Sequence, residues 1–477
     1  MRGSYKTWIG LEIHLHLKTD SKMFCSCPAR YGDEANRNVC PVCMGYPGAL
    51  PRLNERAMEL GYLMARALNC RLSAKTFFAR KNYFYPDMPK NYQISQFEDP
   101  VGTEGFILAD LGEVGERSIR IHDVHLEEDA GKMIHAGDVS LLDFNRAGYP
   151  LLEVVTEPDL YSGEETEAFL RDFQRLVRRL GVSDGNMEEG SMKCDANISI
   201  NPEGKGLGTK VELKNMNSPR FVRLALNYET ARQAAMLKDG GTIIQETRLW
   251  NENRDVTETM RRKETSDDYR YFPEPDIPPF VPDEAFFSRI EKGLVELPLA
   301  LKKRLVAEYG LTPDLADFIR DDEAVARLFE ETVSLGSSPR DVAAWLSSDV
   351  RKVLNREGRG LAGSPLTAAR FHELLSLIAE GSISGKIAKG VLDRVFQDGE
   401  DPAAIVKAEG WAQITDTGQI AEFVDRVLEA NPQVAEAVRT GDMRQRGWLM
   451  GQIMRLSEGK ASPEMAQRIL DKKLLDE

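Results

Sequence analysis

Residues Trp8 to Lys18 alternate without a fault: Ile9, Leu11, Ile13, Leu15 and Leu17 face one way, and Gly10, Glu12, His14, His16 and Lys18 the other. That period belongs to a strand with one buried and one open face. Alternate residues on a strand lie roughly 6.5 to 7 Å apart, so Glu12, His14 and His16 form a row on the open side. The row suits a metal or a phosphate, and it suits equally the solvated face of an ordinary sheet. The stretch from Ile119 to Leu160 carries the theme further, with Glu127, Glu128, Asp129, Glu153 and Glu157 among residues that otherwise read as buried strand. The run Leu151, Leu152, Val154, Val155 is strand-like, and with period two it places Glu153 and Glu157 on one face. Hard-cation sites are assembled from carboxylates on separate strands, which is what a repeated layout of this kind provides.

Two more strands follow the same rule. Cys194, Ala196, Ile198 and Ile200 alternate with Lys193, Asp195 and Asn197, and Lys210, Glu212 and Lys214 stand opposite Val211 and Leu213. Three helical segments separate the strands: Asn54 to Leu68 with Asn54 near its N-cap, Gly163 to Leu180 with an apolar stripe from Phe169 to Leu180, and Arg220 to Leu237. Single strands, paired strands and separated helices predict an α+β domain on an antiparallel sheet with one polar face. Neither G-x-x-x-x-G-K-[ST] nor G-x-G-x-x-G occurs, which argues against a P-loop or Rossmann nucleotide site.

Four of the six cysteines fall between Cys25 and Cys43, as C-x-C and then, twelve residues on, C-x2-C. Cys25, Cys27, Cys40 and Cys43 in two close pairs match a tetrahedral structural zinc knuckle, with a pair of redox disulfides as the rival. Cys70 and Cys194 lie in apolar surroundings and are expected to be buried. The segment from Lys81, KNYFYPDMPKNYQISQFEDPVG, packs aromatics with three prolines and reads as an ordered loop. Its aromatics with Lys81 and Lys90 suit stacking on and neutralising a nucleotide, or simply pinning the loop to the core.

The four prolines from Pro273 to Pro279 mark a boundary near residue 290. Beyond it five helices punctuated by Gly, Asn or Pro run to about residue 399, and a second helical unit begins near Pro402. In residues 439 to 473, eight Lys and Arg outnumber four Asp and Glu, a pattern of an RNA-binding tail or of a solvated helix face. The net charge of −14 argues against nonspecific nucleic-acid coating but leaves room for such a local basic surface. No signal-type apolar segment and no run near the roughly 20 residues needed to span a bilayer is present, so the expectation is a cytoplasmic protein without membrane association.

The strings IGLEIHLHLKTDSKMFCSC, KNYFYPDMPKNYQISQF, HLEEDAGK, LLDFNRAGYPLLEVVTEPDL, MEEGSMKCDANIS, TKVELKNMNS and SDDYRYFPEPDIPP resemble the B-subunit family of tRNA-dependent amidotransferases (GatB/GatE), and GWLMGQIMRLSEGKASPEMAQRIL is similar to that family's YqeY-like tail. The resemblance covers essentially the whole chain. It implies a glutamine-synthetase/guanido-kinase-like catalytic domain over 1–293 that includes the knuckle, an all-α helical domain over 294–405, and a YqeY-like tRNA-binding tail over 406–477. It also implies ATP-dependent phosphorylation of the Glu or Asp side chain on tRNA(Gln) or tRNA(Asn), then amidation by ammonia from a glutaminase A subunit. A small C subunit would join A and B. ATP, Mg2+ and a structural Zn2+ are the expected cofactors.

The candidate catalytic residues are Glu12, His14, Glu127, Glu153, Glu189, Asp195 and Lys210. Those expected to contact substrate or nucleotide are Lys81, Tyr83, Tyr85, Lys90, Asn145, Arg146 and Lys214. His14, Glu127 and Glu153 are the first choice as Mg2+ ligands, because they come from separate segments yet share the open face, with Glu12 and Glu189 behind them or on a second metal. The alternative is a metal-stabilised tRNA-binding or assembly subunit with no chemistry of its own.

Overall fold

A strand of twelve residues, β1 (Tyr5–His16), runs through the middle of the first half of the chain and buries Ile9, Leu11, Ile13 and Leu15 completely or nearly so. The structure, a computed structural model, describes residues 5–262, 266–411, 417–457 and 459–475. They form two compact units, Met1–Ala300 and Leu301–Glu477.

In chain order the other strands of the first unit are β2 (Arg71–Leu72), β3 (Ala79–Asn82), β4 (Tyr92–Ser95), β5 (Gly102–Asp110), β6 (Glu116–Glu128), β7 (Lys132–Ala136), β8 (Val139–Asp143) and β9 (Pro150–Thr156). Then come β10 (Met192–Pro202), β11 (Val211–Lys214), β12 (Glu246–Asn251), β13 (Val256–Arg262) and β14 (Phe272–Pro273). Twelve of the strands make one sheet in the order β13-β12-β11-β10-β1-β9-β6-β4-β3-β14, with β5 also on β6 and β2 on β5. The hairpin β7-β8 stands apart.

The sheet is mixed, which corrects the expectation of an antiparallel one. Its neighbours run antiparallel except β11 and β12. Between those two lies a helix of twenty residues, α3 (Pro219–Lys238), and a crossover of that length is what lets two strands of one sheet point the same way. Before it come α1 (Glu55–Ala67) and α2 (Gly163–Arg179), and after it α4 (Glu284–Gly293). Asn54 caps α1 by accepting from the Ala57 amide, as its position predicts, and Ser162 and Ser218 do the same for α2 and α3.

Helices α1, α2 and α3 pack on the sheet through β6, β5 and β10, so one face of the sheet becomes core. The approach is close at Gly61, where an added Cβ would come 3.0 Å from Leu126 of β6. The alternation of each strand leaves its polar residues on the other face. The segment read from sequence as a loop is in part sheet: Lys81 and Asn82 belong to β3 and Tyr92 to Ser95 to β4, with the prolines confined to the connection between them and to the turn that follows.

The second unit is helical and holds two hydrophobic clusters, one from Leu301 to Val406 and one from Ile420 to Leu474. It contains helices Pro313–Arg320 and Pro402–Ala408, which the sequence reading did not resolve. Ile405 and Val406 belong to the first cluster, and Trp411 packs against it. None of the described helices is long and apolar enough to cross a membrane.

Candidate active site

Strand register builds the centre of the open face. His14 of β1 lies directly opposite Glu153 of β9, and Glu153 lies directly opposite His125 of β6. A slip of one residue in either pairing would send these side chains into the core. Across this row His14 Nε2 is 3.2 Å from Glu153 Oε2 and 3.8 Å from Glu127 Oε1, and His125 Nε2 is 3.1 Å from Glu153 Oε2. One ligand atom from each of His14, Glu127 and Glu153 falls within a 4.8 Å circle. One imidazole and two carboxylates converging in this way fit a hard divalent cation.

The electrostatics are those of a tight cluster of opposed charges. Burial works against the His14 imidazolium, but Glu153, Glu127 and Asp195 outweigh it and raise its pKa to about 9. Burial and then the charge of Glu153 push Glu127 up, with Lys81, His14 and His125 opposing. Burial pushes on Glu153 too, yet His14 and His125 hold it well below the usual carboxylate range. Lys81, on β3, is half-buried; burial works against its charge, but Glu127, Tyr271 and Glu153 together outweigh it and raise its pKa. Its ammonium lies 5.0 Å from the Tyr269 ring, and Tyr83 and Tyr271 flank Tyr269 at 6.3 and 6.2 Å.

A second acidic group sits beside the first. Glu12, Asp195 and Glu212, from β1, β10 and β11, bring one oxygen each within 4.8 Å of one another. Asn197 Nδ2 donates to Glu12 at 2.8 Å, Thr247 Oγ1 to Glu212 at 2.7 Å, and Lys214 bonds Asp195. Burial opposes the Lys214 charge, but Asp195 and Glu212 raise its pKa. Toward the other end of β1, Asp129 receives His16 at 2.7 Å, Arg146 at 3.3 Å and Lys193 at 3.4 Å.

Other sequence candidates lie apart from these groups. Glu189 is exposed on the turn before β10, Lys210 is exposed ahead of β11, and Tyr85 is half exposed in the β3-β4 connection. Lys90 is buried against Glu128, in a cavity of about 60 Å³ lined also by Phe24, Cys25 and Cys43. Asn145 clamps the cysteine loop: its Oδ1 accepts from the Asn38 amide at 2.8 Å and its Nδ2 donates to the Glu34 carbonyl at 2.7 Å. Sequence reasoning passed over Asp123 and His125. Both stand on the open-face alternation that leads to Glu127, and that alternation was the signal.

The four cysteine sulfurs lie within 4.8 Å of one another. The 3.9 Å between Cys40 Sγ and Cys43 Sγ matches the edge of about 3.8 Å that a tetrahedron with Zn–S bonds of ~2.3 Å requires. The Cys40 amide donates to Cys43 Sγ at 3.2 Å, and the fully buried Lys22 ammonium lies 3.7 Å from it. Four thiolates around Zn2+ leave two negative charges, and Lys22 offsets one. A bond shared with Cys25 draws Cys43 down to about 4, and burial raises Cys27 to about 11.

Comparison with known proteins places these groups in a family. A model described as the GatB/GatE catalytic domain matches residues 7–288, and one described as a GatB domain matches residues 327–474. A curated relative from Carboxydothermus hydrogenoformans, the B subunit of an aspartyl/glutamyl-tRNA(Asn/Gln) amidotransferase, is 45% identical over 98% of this chain and 99% of its own length. Proteins of the same name from Picosynechococcus sp. and Syntrophotalea carbinolica are each 44% identical, over 98% of both chains and 100% of both chains respectively.

Proposed function

The chain belongs to the GatB/GatE family, and on that premise we propose that it acts as the B subunit of an ATP-dependent aspartyl/glutamyl-tRNA(Asn/Gln) amidotransferase. The observation that carries the chemistry is the convergence of His14, Glu127 and Glu153 from three strands onto one open face. An oxygen of the tRNA-bound Glu or Asp side chain attacks the γ-phosphorus of ATP, the bond to the β-phosphate oxygen breaks, and ADP leaves. Ammonia then attacks the acyl carbon, phosphate departs with the C–O electron pair, and the nitrogen gives up a proton. Neither step needs a protein nucleophile; both need positioning and charge stabilisation.

Within that reaction His14, Glu127 and Glu153 would hold Mg2+, which supplies charge neutralisation on the phosphate oxygens. Glu12, Asp195 and Glu212, with Lys214 beside them, are the candidate holders of nucleotide phosphate through a second cation. Lys81, held charged against its burial by Glu127, Tyr271 and Glu153, faces the same space and suits the developing negative charge. Cys25, Cys27, Cys40 and Cys43 would hold one structural Zn2+, as sulfur separation and Lys22 support. A glutaminase A subunit and a small C subunit complete the assembly, in the cytoplasm. The glutamine-synthetase/guanido-kinase likeness is proposed for the sheet domain, and three functional parts, 1–293, 294–405 and 406–477, for the chain.

The decisive experiment incubates the chain with Glu-tRNA(Gln), ATP and ammonium without the glutaminase partner. ADP release coupled to Gln-tRNA(Gln) formation is the expected result. Tight tRNA binding with no coupled ADP release would instead make the chain an assembly component.

A further inference from the structure

His125 and Asp123 stand behind the proposed cation ligands without belonging to them. His125 Nδ1 lies 2.7 Å from Asp123 Oδ1, and its Nε2 lies 3.1 Å from Glu153 Oε2. All three side chains are largely shielded from solvent. Glu153 Oε2 is also the oxygen that His14 Nε2 meets, at 3.2 Å. The two histidines thus hold one oxygen from opposite sides, as the register His125–Glu153–His14 across β6, β9 and β1 dictates. When His14 Nε2 turns to a cation, its bond to Glu153 is given up. Of the pair, His125 is the one that goes on holding the carboxylate.

Asp123 is aimed at His125 by a break in β6. The register against β9 shifts between Ile121 and Asp123. Before the shift Ile119 and Ile121 point into the core; after it Val124 and Leu126 do. The apolar phase slips by one residue, so His122 and Asp123, though consecutive, both leave the core face. A β-bulge beside a site is a known way to re-aim a side chain. Here it brings a carboxylate onto the imidazole that supports Glu153, and the other oxygen of Asp123 lies 2.7 Å from His122 Nδ1.

We propose that Asp123 and His125 are positioning residues of the transamidation site: Asp123 fixes the His125 ring, and His125 fixes Glu153 in the orientation that completes the cation site. The inference rests on the reading of His14, Glu127 and Glu153 as ligands. Outer groups that orient a ligand commonly govern metal affinity by 10- to 100-fold, so the effect is measurable without turnover.

The test is Mn2+ binding to the full-length chain, followed by electron paramagnetic resonance in the absence of ATP and tRNA. His125→Ala is expected to weaken Mn2+ binding by about tenfold or more. His125→Gln, which keeps an N–H donor, restores most of the affinity, and Asp123→Asn falls between. The sign is informative, because removing a mere positive neighbour would tighten a cation, whereas removing a positioning group loosens it. Unchanged or tighter binding in His125→Ala overturns the proposal. Should that variant not fold, wild-type affinity in Asp123→Asn does the same. Glu127→Gln is the control: if it leaves Mn2+ affinity unchanged, the ligand assignment itself is what fails.

Discussion

Glu127 and Glu153 share one site but sit in unequal fields. Glu153 lies between two imidazoles at 3.1 and 3.2 Å, whereas burial and the Glu153 charge both act against ionisation of Glu127. Glu127 is therefore the carboxylate with most to gain from a bound cation, and Glu127→Gln should abolish tRNA-dependent ADP release while leaving tRNA affinity within error. Unchanged ADP release in that variant removes Glu127 from the cation site. A second residue-scale prediction concerns Lys22, whose ammonium is fully buried between Cys43 Sγ and the Phe144 carbonyl. Lys22→Met leaves the charge of a four-thiolate zinc site uncompensated. Zinc affinity, measured by competition with a chelator, should fall by about tenfold, the scale of other groups behind metal ligands; wild-type retention would show that Lys22 only fills space.

At the scale of elements, the cysteine loop is stitched to the segment that leads into β9. Asn36, Asn38 and Asn145 join residues 33–38 to residues 142–145 by side-chain hydrogen bonds, and the Met23 amide donates to the Gly148 carbonyl. Protein purified without chelator should carry about one zinc per chain, since closed thiolate sites hold the metal tightly. Less than about half an equivalent by elemental analysis would count against the site. The strand pair β14-β3 rests on Arg80, which donates to Glu274 at 2.6 and 2.9 Å and to Asp276 at 3.1 Å. The Glu274 side chain is completely buried, so Glu274→Ala leaves Arg80 with the half-exposed Asp276 alone and should cost about 2 kcal/mol in urea unfolding. Proline and aromatic content hid these two strands from the sequence reading, because strands of two and four residues leave no room for a period to declare itself.

For the whole molecule, an acidic chain carries, in residues 439–473 of its last helical cluster, eight Lys and Arg against four Asp and Glu. Arg446, Lys473 and Arg439 are paired with Asp471, Asp425 and Glu436, and the side chains of Arg444, Arg455, Arg468 and Lys472 are exposed. Truncation after Trp411 keeps the preceding hydrophobic cluster whole. It should weaken tRNA binding and flatten its salt dependence by roughly one unit of slope per lost phosphate contact, with the loss in amidation appearing in KM rather than kcat. Equal affinity and equal slope would mean that the basic surface is only solvated. What the amino-acid order determined by itself was local: the faultless alternation of β1, the stripe of α2, the Asn54 cap, and the spacing of four cysteines that lets their sulfurs meet. Those signals are short-range, and each is complete within a dozen or so residues. Which strands lie side by side was decided only by the tertiary structure, since register and strand order depend on how faces separated by more than a hundred residues bury one another. Hence His14, Glu127 and Glu153 were each legible as open-face residues, but their meeting, the parallel crossover at α3, and the bulge that turns Asp123 toward His125 were not.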